Sequence, residues 1–547
     1  MKGFIRNYME QSNWYKNAIF YEVNLRSFMD GNSDGIGDIN GLTKKLGYLK
    51  QLGIDCVWLL PIYPSPRKDD GYDIADYYSI DPVYGSLNEF RRLVKEIHKH
   101  RMHIVIDLVV NHTSDEHPWF QSARSNPNSP YHNYYVWSDA DTLYQDARII
   151  FVDTEKSNWT WDELAGKYYW HRFYASQPDL NYENPAVRSE MLNIIRFWLE
   201  LGIDGFRVDA VPYLFEKDGT NCENLPETHE YLKKIREFLD YNFPGKILIC
   251  EANQLPDDVV EYLGNDDEFQ MAFHFPLMPK IFMALRSGDK TPIEETITNT
   301  PAIPENCQWG TFLRNHDELT LEMVTAAERD WMWQEYAPDP AMRLNLGIRR
   351  RLAPLLDNEQ KKIELAYNIL FSLPGSPFIY YGDEIGMGDD LSLPDRDGVR
   401  TPMQWNTSAN AGFSQQPNLS TPVITDPAYS PAQVNVQKNI DDKNSLWHQI
   451  QRLSQIRKEE GVFQSNEISL LDHEDKRILA FCRSNKAEEM LFVHNLSAST
   501  VEFRSRNPLA DTTSLIDLIA NQKFQVENSI LAVTLQPHQS LYLKPKG

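Results

Sequence analysis

Eight short apolar runs, at residues 18–25, 56–62, 104–110, 205–211, 247–250, 269–275, 310–314 and 378–381, alternate with stretches of helical spacing and leave few folds open to this chain. Strands that alternate with helices pair in parallel, because a parallel neighbour needs a long crossover to bring the chain back to the same end. Eight such strands close on themselves, so the expected fold class is α/β, a (β/α)8 TIM barrel. The helical spacing is explicit across residues 87–98, where Phe90, Leu93, Val94 and Ile97 fall on one face.

Four of the runs end in charge. Asp107 is followed by Asn111 and His112, Arg207 and Asp209 close the run at 205, Glu251 follows the run at 247, and Asn315, His316 and Asp317 follow the run at 310. A carboxylate at the end of a buried strand is costly to desolvate, so several of them imply a site that uses negative charge or moves protons. In a parallel barrel the C-terminal strand ends are where such groups gather.

Two segments are too long for ordinary loops. Residues 113–182, rich in aromatic and polar side chains, read as a lid subdomain inserted after the third strand, and residues 320–357, with Trp331, Met332, Trp333 and Tyr336, read as further roof. From about residue 459 short alternating stretches separated by Asn, Ser and Lys turns predict an appended antiparallel β-sandwich. The expected domains are therefore a catalytic barrel at 1–112 and 183–458, the lid at 113–182 and the β-sandwich at 459–547.

Charge narrows the partners. The net charge of −24, from 78 acidic and 54 basic residues, with no basic cluster interleaved with aromatics, argues against nucleic acid and anionic membranes. Cys56, Cys222, Cys250, Cys307 and Cys482 are odd in number and scattered, which predicts reduced core residues. Residues 1–10 lack an apolar leader core and no run approaches a membrane span, so a cytoplasmic location is expected.

Residues 30–38 suggest a cation loop. Asp30, Asn32, Asp34 and Asp38 alternate oxygen ligands around Gly35 and Gly37, with the carbonyl of Ile36 between them. The pattern is half an EF-hand, but Gly41 stands where the closing Glu belongs. The expectation is a Ca2+ or Mg2+ site; the alternative is a hydrated acidic turn.

Taken in order, Tyr72-Asp73, Asp107 to His112, Gln177 to Asn181, Gly205 to Asp209, Glu251 and Asn315-His316-Asp317 resemble the motifs of the α-amylase family, from about Trp14 onward. Within it, residues 221–229, 251–254, 312–322 and 347–356 are similar to the trehalose synthases. The resemblance implies an isomerase that interconverts maltose and trehalose by a retaining double displacement, with minor hydrolysis to glucose. It implies Asp209 as nucleophile, Glu251 as general acid/base and Asp317 as the acid that holds sugar hydroxyls. Arg207 lies on the same strand face as Asp209 and would keep it ionised.

Further residues follow from the same resemblance. His112 and His316 would hydrogen-bond the glucose held by Asp317, Tyr72 would stack on it, and an Asp69–Arg400 ion pair would close the back of the pocket. Phe173 and Gln177 would reach the sugars from the lid. A structural Ca2+ is implied at Asn111, Asp179, Glu216 and the carbonyls of Tyr213 and Leu214, where it would fasten the lid to the barrel. No organic cofactor is expected; a homo-oligomer and a maltose kinase partner are compatible with the family. The nearest rival is an α-glucosidase or α-amylase-type hydrolase using the same residues, and a remote one is a catalytically inactive family member.

Overall fold

The computed structural model describes residues 13–509 and 512–546. The leaderless reading of residues 1–10 lies outside the described residues. The barrel strands are β1 (Phe20–Val23), β2 (Cys56–Leu59), β3 (His103–Val109), β4 (Gly205–Asp209), β5 (Ile247–Cys250), β6 (Met271–Phe273), β7 (Gln308–Phe312) and β8 (Ser376–Tyr380). They close in the order β1-β8-β7-β6-β5-β4-β3-β2, every pair parallel, as expected from the sequence.

Several strands are shorter than their apolar runs, β1 and β6 most of all. The chain turns at Asn24, whose carbonyl accepts the N–H of Ser27 at 3.1 Å, so Leu25 opens the helical turn Leu25–Phe28 instead of extending β1. Phe275 leaves β6 and lines the cavity above the barrel. The barrel interior is filled by aromatic rings: Phe20 stacks on Phe378 at 4.2 Å, and Phe273 meets Phe378 edge-on at 4.8 Å. Gly310 makes room for them, since a Cβ there would lie 3.0 Å from both Phe273 and Phe378.

Outside the barrel, helix Leu87–Lys99 buries Phe90, Leu93, Val94 and Ile97, the face read from the sequence, and starts in a capping box of Ser86 and Glu89. The lid contains helix Pro118–Ser125 and a three-stranded antiparallel sheet of Trp137–Ser138, Trp159–Asp162 and Lys167–Trp170. A bridge between His112 and Asp179 ties its root to the end of β3. The segment after β7 folds as helix Ala326–Tyr336 and a small antiparallel sheet of Leu319–Thr320, Gly347–Ile348 and Arg343–Leu344.

The C-terminal domain is an eight-stranded antiparallel arrangement beginning at Ile468. Period-two alternation splits its residues between two cores: Ile478, Ala480, Leu491, Val493, Leu541 and Leu543 join the domain's own, while Leu479, Phe481, Phe492 and Tyr542 pack into that of the barrel. Two buried arginines mark the seam. Arg457, on helix Leu446–Glu459, donates to the carbonyls of Phe371 (2.7 Å) and Gly375 (2.8 Å), and Arg483 donates to those of Ser372 (3.1 Å) and Leu373 (2.9 Å). These carbonyls lie at and just beyond the C-terminus of helix Gln360–Ser372, where orphan acceptors and the helix dipole favour cations. All five cysteines are buried and free. No helix among the described residues is long and apolar enough to cross a membrane.

Candidate active site

Strand register assembles the acids. Asp107 on β3 pairs with Arg207 on β4, Val109 pairs with Asp209, and Val208 pairs with Cys250, which leaves Glu251 one residue beyond β5 beside Asp209. Residues two apart on a strand share a face, so Arg207 and Asp209 both look into the mouth. Arg207 Nη1 donates to Asp107 Oδ1 and to Asp209 Oδ1, each at 2.6 Å, and its Nη2 pairs with Glu251 Oε1. One guanidinium therefore serves three carboxylates.

One charge cannot neutralise three. Burial raises Asp209 to about 6 and Glu251 to about 8, with Arg207 opposing the rise in both and each raised further by neighbouring acids. Near neutral pH this arrangement holds Asp209 mostly ionised and Glu251 mostly protonated, the division that a nucleophile and a general acid require. Asp107 is raised by burial to about 6 and is held by Arg207 and by Trp58 Nε1 at 3.0 Å.

Asp317 is biased the other way. Burial would raise it, but His316, Arg396 and Arg400 outweigh burial and hold it below the usual carboxylate range. Arg396 Nη1 lies 2.8 Å and Arg400 Nη2 3.1 Å from its Oδ1, and His316 Nε2 lies 3.2 Å from its Oδ2. Tyr72 stacks parallel to His316, with ring centroids 5.4 Å apart and planes 9° from parallel, and its hydroxyl lies 2.8 Å from His316 Nε2.

The back of the pocket differs from the sequence expectation. Asp69 pairs with Arg396 at 2.5 Å, whereas Arg400 reaches Asp70 (3.1 Å) and Asp317. Asp70 adopts a positive φ of 44°, and its carboxylate joins Arg26 and Arg400 while that of Asp69 joins Arg396 and Gln177. Arg396 had no place in the sequence reading, and nothing local marks which of two neighbouring arginines meets which of two neighbouring aspartates. Gln177 Nε2 bridges Asp69 Oδ2 (2.9 Å) and His112 Nε2 (3.1 Å).

Both insertions roof the site. Phe173 lies 5.2 Å from His112 and 5.7 Å from Tyr213, ring to ring. Arg148 of the lid donates to Glu223 (2.8 Å) in the loop after β4, to Glu322 (2.7 Å) in the segment after β7, and to the Tyr213 hydroxyl (3.2 Å). Asp153 of the lid accepts the N–H of Asn345 at 2.7 Å. Beneath lies a cavity of about 850 Å3, including its open mouth, where Asp69, Tyr72, His112, Asp209, Glu251 and Asp317 meet Phe151 and Phe173 from the lid and Glu318 and Glu322 from the other segment. The pairing of Arg148 with Glu223 and Glu322 escaped the sequence reading because it joins three distant segments.

Cation sites were expected at two places. Among the described residues no three His, Cys, Asp or Glu side chains converge as a metal cluster. In the loop at 30–38, Asp30 accepts N–H bonds from Asn32, Ser33 and Gly35, Asp38 accepts them from Gly31 and Gly41 as the cap of helix Ile39–Leu52, and Asn32 bonds Asp34. The second set differs: Asn111 Oδ1, Asp179 Oδ2 and Glu216 Oε1 are buried oxygens without a hydrogen-bond partner. Burial pushes Asp179 up to about 8 and Glu216 well above its usual value, with Asp179 raising Glu216 further and Arg172 opposing the rise in both. Orphan oxygens in that setting fit a hard divalent cation.

Comparison with known proteins agrees with this geometry. Residues 23–343 and 348–466 match the model of the α-amylase catalytic domain, and residues 468–541 match the maltogenic amylase C-terminal domain. The chain is 53% identical over 510 residues to a trehalose synthase/amylase of Mycolicibacterium smegmatis, covering 90% of this chain and 86% of that protein. It is also 53% identical to a trehalose synthase of a Pimelobacter species, covering 89% and 88%. Among solved structures, a mutant of the trehalulose synthase MutB in complex with Tris superposes with a TM-score of 0.78 at 29% identity, covering 97% of this chain and all of that one (100%). With its catalytic-domain model matched across the barrel and relatives of this identity along most of its length, the chain belongs to the α-amylase family.

Proposed function

We propose that the enzyme interconverts maltose and trehalose by moving one glucosyl unit inside a closed site. The observation that supports this most is the union of an Asp209–Glu251 pair on one guanidinium with a roof clasped across two insertions by Arg148. Relatives 53% identical to this chain are named trehalose synthases, which favours the same activity here.

In the first half-reaction the Asp209 carboxylate attacks the anomeric carbon of the non-reducing glucose. The bond to the leaving oxygen breaks, and that oxygen takes the proton of Glu251. Asp317 binds hydroxyls of the same ring as positive charge develops on it. In the second half-reaction the released glucose turns, Glu251 now accepts the proton of its anomeric hydroxyl, and the oxygen attacks the β-glucosyl enzyme and frees Asp209. Two inversions keep the α configuration and yield the α,α-1,1 linkage. Excluding water and retaining the glucose make the second attack effectively intramolecular, and occasional water entry gives minor hydrolysis.

A structural cation fits Asn111, Asp179 and Glu216, with the carbonyls of Tyr213 and Leu214 completing the proposed set. When bound it would neutralise two buried carboxylates and fasten the lid root to the barrel. If the loop at 30–38 also takes Ca2+ or Mg2+, metal analysis will count two ions per chain instead of one.

The rival reading is hydrolysis by the same residues, as in an oligo-1,6-glucosidase of Parageobacillus thermoglucosidasius that is 30% identical. Incubation with maltose decides between them. Trehalose as the main early product supports isomerisation, glucose as the main product supports the hydrolase, and neither product would point to an inactive family member.

A further inference from the structure

β1 carries one acid that the reaction scheme does not use. Glu22 is 1% exposed, and its Oε1 accepts the backbone N–H of His316 at 3.2 Å and lies 2.5 Å from Nδ1 of the same residue. The same ring meets the Tyr72 hydroxyl at 2.8 Å and Asp317 Oδ2 at 3.2 Å through Nε2, lies face to face with Tyr72, and has Trp58 edge-on at 5.9 Å. Both nitrogens and one face of the imidazole are thus fixed, and Glu22 does the fixing on the side away from the sugar.

Proton counting gives this contact a purpose. A neutral imidazole holds one N–H; if that proton sits on Nδ1, Nε2 has none to offer Asp317 or a sugar hydroxyl. A carboxyl group against Nδ1 lets the pair hold two protons with no net charge, either as carboxylate and imidazolium or as carboxylic acid and imidazole. In both forms Nε2 keeps its N–H. The surroundings favour the neutral pair: burial opposes a charge on either group, Glu22 faces the acids Asp317 and Asp107 with Arg207 and Tyr380, and His316 faces Asp317, Arg207, Arg396 and Arg400. A net negative Glu22–His316 pair would sit beside two further buried carboxylates.

We propose that Glu22 is a positioning residue for glucosyl transfer, holding His316 against Tyr72 so that its Nε2 presents an N–H to the sugar hydroxyl gripped by Asp317. The role rests on the proposed transfer reaction. A buried carboxylate that orients a working histidine from its far nitrogen is a known device in other enzymes. Here β1 supplies it across the barrel axis from β4.

The test is a double-mutant cycle of Glu22→Gln and His316→Ala, with maltose as substrate and kcat and KM measured separately. Glutamine keeps the volume, but its amide oxygen against the backbone N–H draws the histidine proton to Nδ1 and strips Nε2. We expect kcat to fall about 30-fold with KM changed less than about threefold, and no further loss in the His316→Ala background. Glu22→Leu repeats the cycle should glutamine perturb folding. Additive losses, or kcat within about threefold of wild type in both folded variants, would overturn the proposal, as would failure of both variants to fold, which would make Glu22 a purely structural residue. If wild type releases glucose and makes no trehalose, the isomerase reading falls, and the cycle is then read on hydrolysis of p-nitrophenyl α-glucoside, where a non-additive loss still supports the Glu22–His316 coupling.

Discussion

Arg207 and Asp209 stand two residues apart on β4 and touch at 2.6 Å, and the same guanidinium holds Glu251 through its other terminal nitrogen. The covalent step depends on Asp209 alone. Asp209→Asn should lower both trehalose formation and glucose release by at least about 1,000-fold while the fold is kept, because the asparagine still accepts from Arg207. Activity within tenfold of wild type would reject Asp209 as nucleophile. Glu251→Gln should be as poor on maltose, yet trap a glucosyl adduct from α-glucosyl fluoride, whose leaving group needs little protonation.

The pH profile follows from the same trio. With Asp209 raised to about 6 and Glu251 to about 8, kcat/KM on maltose should be bell-shaped, its acid limb reporting loss of the ionised nucleophile and its alkaline limb loss of the protonated acid. The two limbs belong to the coupled carboxylates together and not to one residue each. A flat profile from pH 5 to 9 would count against the assignment.

The ionisation of Glu251 should also cost stability. Its folded value of about 8 stands above the ordinary 4.5, so the folded protein holds this proton more tightly than the unfolded chain. The contribution is complete below pH 4.5 and is lost progressively up to about pH 8 as the buried group ionises. Glu251→Gln mimics the protonated form. Its Tm relative to wild type should therefore rise across that window and level off above it, in thermal scans at a series of pH values. A constant difference would show that Glu251 ionises in the folded protein as easily as in water.

The clasp should govern the fate of the intermediate. Arg148→Ala removes contacts to Glu223, Glu322 and Tyr213 at once, and Phe173→Ala removes the ring between His112 and Tyr213. Each should raise the ratio of glucose to trehalose by about twofold or more. Labelled free glucose, which should appear only slightly in wild-type trehalose, should enter the product more readily in these variants. Label entering wild-type trehalose at the rate of turnover would sink the retained-glucose route.

Removing metal should loosen the lid root before it touches the chemistry. A cation bound only by the folded state stabilises it by mass action, so excess chelator should lower Tm by about 3 °C and added Ca2+ should restore it. Glu216→Gln should abolish the response to Ca2+ if the ion sits on the orphan oxygens of Asn111, Asp179 and Glu216. An undiminished response would move the ion to the loop at 30–38.

The sequence made the barrel legible because its signals are local: a strand and a helix repeated eight times, with a charged end on four of the strands. Asp209, Glu251 and Asp317 could be placed at the mouth before any coordinates, since strand ends converge by topology. Pairings between loops were not legible. Asp69 with Arg396, and Arg148 with Glu223 and Glu322, are settled by side chains tens or hundreds of residues apart, and no periodicity reports them. Glu22 was hidden for another reason, since a single acid inside an apolar run looks like an exposed position until the barrel closes over it. The strand at 18–25 was drawn too long because Leu25 is apolar and the turn at Asn24 is set by its backbone contact to Ser27.

The seam between barrel and C-terminal sheet leaves this chain without a place to be cut. Arg457 and Arg483 hold the carbonyls that end helix Gln360–Ser372, and the strands bearing Leu479, Phe481 and Phe492 lend one face to each core. A truncation at the barrel's edge would uncover an apolar wall and strip a helix end of its donors together. A shorter enzyme would therefore have to be rebuilt along that wall and not merely trimmed.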